Sequence, residues 1–142
     1  SPTVWETVSE RRVCNEKYAV IDPKEDDHKD YKVICDVSGT ETIIDHAIKH
    51  ATRHATILLA GFYADPIQFG FPAAFMREID VRISAEWEPE DMGAALDLVC
   101  KGDLSLNKII THDHAFQQAE EAYKTAFSDP SCLKMVLDWR GK

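Results

Sequence analysis

The stretch at residues 31–62, "YKVICDVSGTETIIDHAIKHATRHATILLAGF", decides the fold class. Residues 31–37 are rich in β-branched and aromatic side chains and stop at a Ser-Gly pair, which predicts a strand. Apolar residues then recur at helical spacing, which predicts an amphipathic helix over residues 41–54. Residues 56–60 form an almost continuous apolar run, as is typical of parallel strands that are covered on both faces. The stretch therefore predicts a strand–helix–strand unit.

Strand and helix signals alternate along the rest of the chain. The predicted strands are 3–7, 18–21, 31–37, 56–60, 67–71, 80–85, 108–111 and 133–139. The predicted helices are 8–17, 41–54, a short one through 72–77, one from Pro89 to Gly102, and 115–127. This order predicts an α/β fold with a Rossmann-like, mostly parallel sheet. A change in composition near Trp87 and Glu88 predicts one domain over residues 1–87 and a second segment over 88–142.

Composition and charge exclude several classes of function. The chain has 142 residues and a net charge of −9, which argues against binding to nucleic acids or anionic membranes. The four cysteines, which are Cys14, Cys35, Cys100 and Cys132, form no C-x-x-C pair, so neither a zinc knuckle nor a redox pair is indicated. Cys35 and Cys100 lie in apolar runs and are expected to be buried free thiols, which favours a cytoplasmic location. Neither a bilayer-spanning stretch nor a signal peptide is visible.

Glu6 is the first candidate site residue, because an acid at the end of a strand can hold the ribose of a dinucleotide. Such an acid normally stands about 20 residues after a glycine-rich phosphate loop. Only Ser1 and a short apolar strand precede Glu6 here. The residues alone therefore favour a surface charge over a cofactor ligand, and both interpretations stay open at this point.

Glycines at strand ends form the second candidate. "DVSG" at 36–39 and "LAGFY" at 59–63 each place a glycine at or just beyond the end of an apolar strand. In open α/β sheets, ligands bind outside the carboxyl ends of the strands, and glycine lets a ligand approach the backbone closely. Ordinary turn chemistry explains either glycine alone equally well. A third strand end, "SAEW" at 84–87, favours a ligand site.

Histidines and acids give weaker candidates. His46, His50 and His54 are spaced four residues apart on the predicted helix, a spacing that can bind zinc, but an exposed helix face is the favoured interpretation. His112 and His114 follow a predicted strand and are expected to be turn residues. Asp36 ends a buried strand without an identifiable partner acid. We therefore expect no metal site, and the sequence identifies no catalytic residue.

Several pieces of the chain together resemble the coenzyme-binding region and C-terminal tail of the medium-chain alcohol dehydrogenases. These pieces are "TVWET", "DVSG", "LAGFY", "FPAAFMRE", "ISAEW" and the tail from "SLNKIITH" to "CLKMVLDW". Within that family they look most like the enzymes of bacteriochlorophyll biosynthesis, a pathway of photosynthesis. The resemblance implies an oxidoreductase that uses NAD as cofactor and oxidises the 3-hydroxyethyl group of a tetrapyrrole, bacteriochlorophyllide a, to 3-acetyl.

The resemblance also implies which residues bind NAD. Glu6 matches the family's ribose-binding acid at the end of the second strand. The other matching positions are Val37, Ser38 and Gly39 beside the adenosine, Ala60, Gly61 and Phe62 near the nicotinamide ribose, Ser84, Ala85 and Glu86 at the nicotinamide amide, and Lys134 near the pyrophosphate.

The chain departs from the family pattern in ways that affect both folding and activity. The family's first strand and glycine-rich turn are absent ahead of Glu6, and His54-Ala55 replaces the usual Gly-Gly pair. We therefore expect a Rossmann domain truncated at its N-terminus, with a C-terminal α/β tail that returns to an absent catalytic domain and no activity alone. The missing strand would be central, so its gap is expected to close by rearrangement or by forming a homo-oligomer through an open sheet edge. The tail strands 108–111 and 133–139 are expected to pair with each other.

Three alternatives remain open from the sequence. The chain could belong to another medium-chain alcohol dehydrogenase with a different alcohol substrate. It could also be a non-catalytic Rossmann module that binds NAD or S-adenosylmethionine for regulation. In a structural or interaction domain, Glu6 would have no ligand.

Overall fold

The computed structural model describes residues 2–12, 18–106 and 108–140. The chain divides into two compact units. The first unit combines Ser1–Asp26 with Glu90–Lys142, and the second unit is Asp27–Pro89. The division at residues 87 and 88, which was drawn from composition, stays a prediction.

Strands and helices alternate along most of the chain. The strands are β1 (Thr3–Trp5), β2 (Ala19–Ile21), β3 (Tyr31–Asp36), β4 (Ala51–Leu59), β5 (Asp80–Ile83), β6 (His112–Ala115) and β7 (Met135–Asp138). The α-helices are α1 (Ile43–His50), α2 (Phe71–Arg77), α3 (Pro89–Cys100) and α4 (Ala119–Ser128). Short 3₁₀ turns lie at Ser9–Arg11, Pro23–Glu25 and Phe116–Gln118.

All of the described strand pairs are parallel. β1 pairs with β2, β4 lies between β3 and β5, and β6 pairs with β7. The predicted α/β class with a mostly parallel sheet is therefore confirmed. β7 pairs with β6, whose residues 112–115 follow the predicted strand, so the expected partner 108–111 is wrong while 133–139 does contain a paired strand.

The core of the second unit forms where α1 packs against the β3–β4–β5 sheet. Ile44, Ala47 and Ile48 lie on one face of α1 and are buried, as their helical spacing predicts. Across from them, Ile57 and Leu59 of β4 are buried as well. The largest fully buried side chains are Ile44, Ile48 and Ile57. The contact between α1 and β4 therefore holds in place the segments that follow β3 and β4.

The predicted helix over 41–54 is too long, because α1 ends at His50 and β4 starts at Ala51. Tyr31 pairs with Ala51 while Val33 pairs with Thr56, so β4 carries three extra residues in this bulge. His54 lies within it at φ 60°, in the left-handed region. The three histidines His46, His50 and His54 consequently do not share one helix face.

Two predicted strands are wrong. Residues 67–71 form no strand, since Gly70 caps a helix that starts at Phe71 with Pro72 in its first turn. Residues 108–111 lie in a turn and its exit, and the strand β6 begins only at His112. In the first case the apolar run includes the residue at which α2 starts. In the second case the run ends directly before β6.

The first unit exposes most of its apolar side chains. Of the predicted helix over 8–17, residues 8–12 are described and contain the 3₁₀ turn Ser9–Arg11, and residues 13–17 lie outside the described residues. α3, which was predicted as a helix, has no buried residue. In α4 only Ala122 is buried, and Phe127 is 85% exposed.

Three of the four cysteines fall within the described residues, and these three are free. Cys35 and Cys100 are exposed, which corrects the expectation that both are buried, whereas Cys132 is buried. Cys14 lies outside the described residues. Among the residues that are described, no helix has the length and apolar character that crossing a bilayer requires.

Candidate functional site

Three strand ends meet at one edge of the β3–β4–β5 sheet. Because β3, β4 and β5 are parallel, their carboxyl ends point the same way and their following segments lie side by side. The backbone N–H of Ala60 donates to the carbonyl of Asp36 at 2.8 Å, and that of Ser84 donates to the carbonyl of Leu59 at 3.0 Å. These two bonds continue the hydrogen-bonding pattern of the sheet into the segments that were predicted to bind the cofactor. The nine predicted residues of this edge are Val37, Ser38, Gly39, Ala60, Gly61, Phe62, Ser84, Ala85 and Glu86.

The two predicted glycines bring their segments into backbone contact. A Cβ on Gly39, which has φ 69°, would lie 2.5 Å from the carbonyl oxygen of Phe62. A Cβ on Gly61 would lie 2.7 Å from the backbone nitrogen of Gly39. Any other residue would therefore push the two segments apart. The glycines pack against each other here, and their role is not limited to turning the chain.

Asp36 lies directly beneath this contact and is bonded to both segments. It is 7% exposed. Its Oδ1 accepts the backbone N–H of Ser38 at 3.2 Å, and its Oδ2 accepts the hydroxyl of Tyr63 in a short hydrogen bond. Burial and the adjacent Asp36 carboxylate raise the pKa of Tyr63 well above its usual value of 10.0, so the phenol stays protonated and donates.

Tyr63 is a residue of this site that the sequence did not reveal. It follows the "LAGF" segment directly, but a part-buried Asp–Tyr pair across 27 positions leaves no local signal. The sequence identified Asp36 only as an isolated acid. Its partner became visible only when the ends of β3 and β4 were placed side by side.

The outer surface of this edge is open. Phe62 is 91% exposed, and Val37 is 74% exposed. Ser84, Ala85 and Glu86 are also exposed and follow β5 without helical or strand structure. The edge therefore presents backbone groups and side chains to solvent, as a ligand-binding edge of a parallel sheet requires.

Glu6 lies in the first unit, just after β1. Its backbone N–H donates to the carbonyl of Ile21 at 3.0 Å, so the β1–β2 ladder reaches it. Its Oε1 accepts the backbone N–H of Val8 at 2.8 Å. The carboxylate is thereby held at the end of the strand, at the position the sequence predicted.

Arg12 fixes the turn that carries Glu6. Its guanidinium donates to the carbonyls of Glu6 at 2.9 Å and Thr7 at 3.0 Å, and it pairs with Asp22 at 3.0 Å. Asp22 comes directly after β2, so this one side chain joins the ends of both strands. The charge of Arg12 was visible in the sequence, but its three acceptors were not.

Lys134, the last predicted cofactor residue, is exposed and precedes β7 in the first unit. Its carbonyl accepts the N–H groups of Thr111 and His112 at 3.2 and 3.3 Å. Arg11 donates to the carbonyls of Pro130 and Cys132 in the same segment. The segment before Lys134 is thus tied to the turn that follows Glu6.

The histidines give no metal centre within residues 2–12, 18–106 and 108–140, where no cluster of ligating side chains is found. His54 pairs with Glu78 at 3.2 Å on the surface, and His112 lies 3.8 Å from Asp129. His112 and His114 belong to β6, which corrects their assignment to a turn.

A cavity of about 410 Å³ opens elsewhere in the second unit. Phe69, Phe71, Phe75 and Val81 line it together with Arg53 and four other residues. None of the predicted cofactor residues contributes to its wall. We therefore assign the candidate site to the strand ends, where the bonded polar groups lie.

The fold is that of medium-chain alcohol dehydrogenases in the region that the chain spans. A putative alcohol dehydrogenase from Thermotoga maritima superimposes with a TM-score of 0.75 over 94% of this chain and 38% of its own, at 18% identity. The short chain alcohol dehydrogenase rspB from E. coli CFT073, solved with the cofactor NADH, superimposes with a TM-score of 0.67 at 25% identity. The match covers 76% of this chain and 32% of rspB.

Two curated relatives make the assignment more specific. The chain is 52% identical over 98% of its length to the 2-desacetyl-2-hydroxyethyl bacteriochlorophyllide A dehydrogenase of Cereibacter sphaeroides, and 46% identical over 98% to that of Rhodobacter capsulatus. It spans 44% of the length of each relative. No protein-family model matches the chain. The resemblance to enzymes of bacteriochlorophyll biosynthesis, which was predicted from the sequence, is therefore confirmed by these two relatives.

Proposed function

We propose that this chain is the NAD-binding part of a dehydrogenase that oxidises the hydroxyethyl group of a bacteriochlorophyllide to an acetyl group. The observation that carries the proposal is the 52% identity over 98% of the chain to a dehydrogenase named for that substrate. The complete protein would supply the substrate pocket and the proton acceptor. NAD would accept the hydride from the carbinol carbon, while the hydroxyl proton leaves to a base.

The exposed strand ends of the second unit support a nicotinamide cofactor, which the neighbouring structure solved with NADH contains. Glu6 would accept hydrogen bonds from the adenosine ribose hydroxyls, since its carboxylate stands at the end of a parallel strand. The exposed segments at 37–39, 60–62 and 84–86 would bind the rest of the dinucleotide along the sheet edge. Lys134 would add a positive charge for the pyrophosphate.

Two further proposals concern the surroundings of the protein. The three free cysteines among the described residues support a cytoplasmic location. The first unit contains the two-stranded β1–β2 and β6–β7 sheets, whose strands leave edges for further pairing. These edges support the proposal that the protein forms homo-oligomers.

The test is to replace Glu6 in the complete protein and to measure NADH affinity by fluorescence titration. We expect Glu6→Gln to weaken NADH binding roughly tenfold or more, because a hydrogen bond to a charged group contributes about 1.5–3 kcal/mol. The amide oxygen of glutamine can still accept the N–H of Val8, so the turn keeps its shape. The same variant should discriminate less strongly against NADPH, since the negative charge that repels a 2′-phosphate is gone.

The matched control is Glu10→Gln, which removes an exposed acid four positions further along the same turn. Its NADH affinity should equal that of the wild type. If the wild type converts the hydroxyethyl substrate without binding NADH, or binds NADH without converting it, the proposed function is wrong. If Glu6→Gln binds NADH as tightly as the wild type, Glu6 is not a ribose ligand.

A further inference from the structure

The segments after β3 and β4 are joined by a part-buried polar pair as well as by their glycines. Asp36 accepts the N–H of Ser38 on one side and the hydroxyl of Tyr63 on the other. Ser38 belongs to the segment at 37–39, and Tyr63 directly follows the segment at 60–62. The Asp36 side chain therefore connects the two segments that the proposed cofactor would touch at different points.

Stability alone is a poor explanation for this pair. Placing a carboxylate beside a backbone contact is costly unless each of its oxygens is bonded, and apolar residues of similar size often serve at such positions as well. Here both oxygens are bonded, and each bond goes to a different segment. Such a pair adds side-chain bonds to the backbone bond between Ala60 and Asp36, and together these bonds fix the spacing of the two segments.

The glycine contact makes that spacing matter. The backbones at Gly39 and Gly61 approach so closely that a Cβ on Gly61 would lie 2.7 Å from the nitrogen of Gly39, so a shift of one segment toward the other would displace it. The Tyr63 hydroxyl holds the second segment down against Asp36, while Phe62 on the same segment points out to solvent at 91% exposure. The Tyr63–Asp36 hydrogen bond therefore fixes the distance between the 60–62 segment and the end of β3.

We propose that Asp36 and Tyr63 are positioning residues that hold the 60–62 segment in register with the 37–39 segment, so that one dinucleotide can contact both. The inference rests on the proposed NAD-binding function and names residues that act through these segments. Neither side chain needs to touch the ligand. The phenol must remain protonated to donate, as an ordinary tyrosine is at neutral pH, and the raised pKa of Tyr63 extends that protonation to more alkaline pH.

The experiment compares two probes, AMP and NADH, in the complete protein. Tyr63→Phe removes the hydroxyl and leaves the ring, so we expect a roughly tenfold loss of NADH affinity, in keeping with the loss of a hydrogen bond to a charged acceptor. AMP occupies only the adenosine side, where the bond between Asp36 and Ser38 persists. Its affinity should change less than about twofold, since the hydrogen bond on that side is kept. In steady state the KM for NAD should rise more than kcat falls.

Asp36→Asn is the second variant, because its amide oxygen still accepts one bond. It should weaken NADH binding less than Asp36→Ala does. Tyr123→Phe is the matched control, since Tyr123 is an exposed tyrosine on α4 in the first unit, and it should bind both probes like the wild type.

The outcomes separate this inference from the proposed function. If the wild type fails to bind NADH, the proposed function itself is wrong. If the wild type binds NADH and Tyr63→Phe binds it equally well, the positioning role is wrong. Equal losses for AMP and NADH in Tyr63→Phe would also overturn it, because a general loss of structure would weaken both probes alike. Should Tyr63→Phe fail to fold, the same comparison of probes on Asp36→Asn decides.

Discussion

The backbone of His54 has a conformation that residues other than glycine rarely adopt. Its φ is 60°, within the bulge of β4. The resemblance implies a Gly-Gly pair here, and the structure shows why glycine would suit the position of His54. A left-handed backbone costs a residue with a Cβ about 1–2 kcal/mol relative to the ordinary helical region. Histidine is among the residues that tolerate it better than most.

We expect His54→Gly to be more stable than His54→Ala by about 0.5–1 kcal/mol, because glycine removes the strain at the cost of some unfolded-state entropy. Both variants lose the surface contact with Glu78, so that contact cancels in the comparison. Thermal unfolding of the two variants measures the difference. The control is the pair Thr52→Gly and Thr52→Ala. Thr52 lies in the same strand without a positive φ, and there alanine should be the more stable. Equal stabilities at position 54 would contradict the strain.

Single residues also show how far the sequence could predict the candidate site. Gly39 and Gly61 were identified because a glycine after an apolar strand is a local signal. Asp36 was identified as an acid but without its partner, since the bond to Tyr63 joins residues that are distant in sequence. Strand ends can be predicted from composition, whereas a hydrogen bond between two of them depends on their register.

At the element scale, the shortest strands depend on a side chain for their alignment. β1 and β2 have three residues each and pair over three positions. A two-stranded ladder of this length is marginal by itself. The Arg12 side chain, about a quarter exposed, bonds to the carbonyls of Glu6 and Thr7 and to the carboxylate of Asp22. The planar guanidinium can reach three acceptors at once, which an ammonium group cannot do with the same geometry.

We therefore expect Arg12→Lys to loosen the ends of β1 and β2 even though the charge is kept. Hydrogen exchange of the Glu6 amide, which donates to Ile21, should become faster by roughly tenfold, since a charge-assisted bond contributes about 1.5–3 kcal/mol. Arg77→Lys is the control, because the Arg77 guanidinium donates to the carbonyl of Ala73 in its own helix at 3.3 Å. Unchanged exchange at Glu6 in Arg12→Lys would show that the guanidinium does not align the strands.

The elements that the sequence predicted well are those with a strong period. α1 has three buried apolar residues at helical spacing, and β4 contains an apolar run whose core position was evident. The predictions failed where a short apolar run borders a proline or a turn. "IQFGF" contains the residue at which α2 starts, and "KIIT" ends just before β6. Local strand propensity does not determine which of two neighbouring segments pairs with another strand, because pairing depends on tertiary packing.

At the scale of the whole molecule, the buried apolar residues are unevenly distributed. In the second unit they are Ile34, Ile44, Ala47, Ile48, Ala51, Ala55, Ile57, Leu59 and Ala74. In the first unit they are Ala122 and Cys132, among the residues described. Many of its large apolar side chains are exposed, including Leu96, Tyr123 and Trp139. Because burial of apolar surface is the main stabilising contribution, the two units should differ in local stability.

Hydrogen exchange followed by mass spectrometry on this chain should resolve that difference. Amides of β3, β4 and α1 should exchange slowest, because α1 buries the sheet that contains Ile57 and Leu59. Amides of β1, β2 and α3 should exchange faster by on the order of tenfold or more, since few buried apolar contacts oppose their local opening. The Ile48→Ala variant should remove about 2–5 kcal/mol from the protection of β4, and it should change the exchange of β6 and β7 much less. Uniform protection across both units would contradict the argument, because it would mean that the chain opens as one cooperative body and that the layer around α1 is not its most stable part.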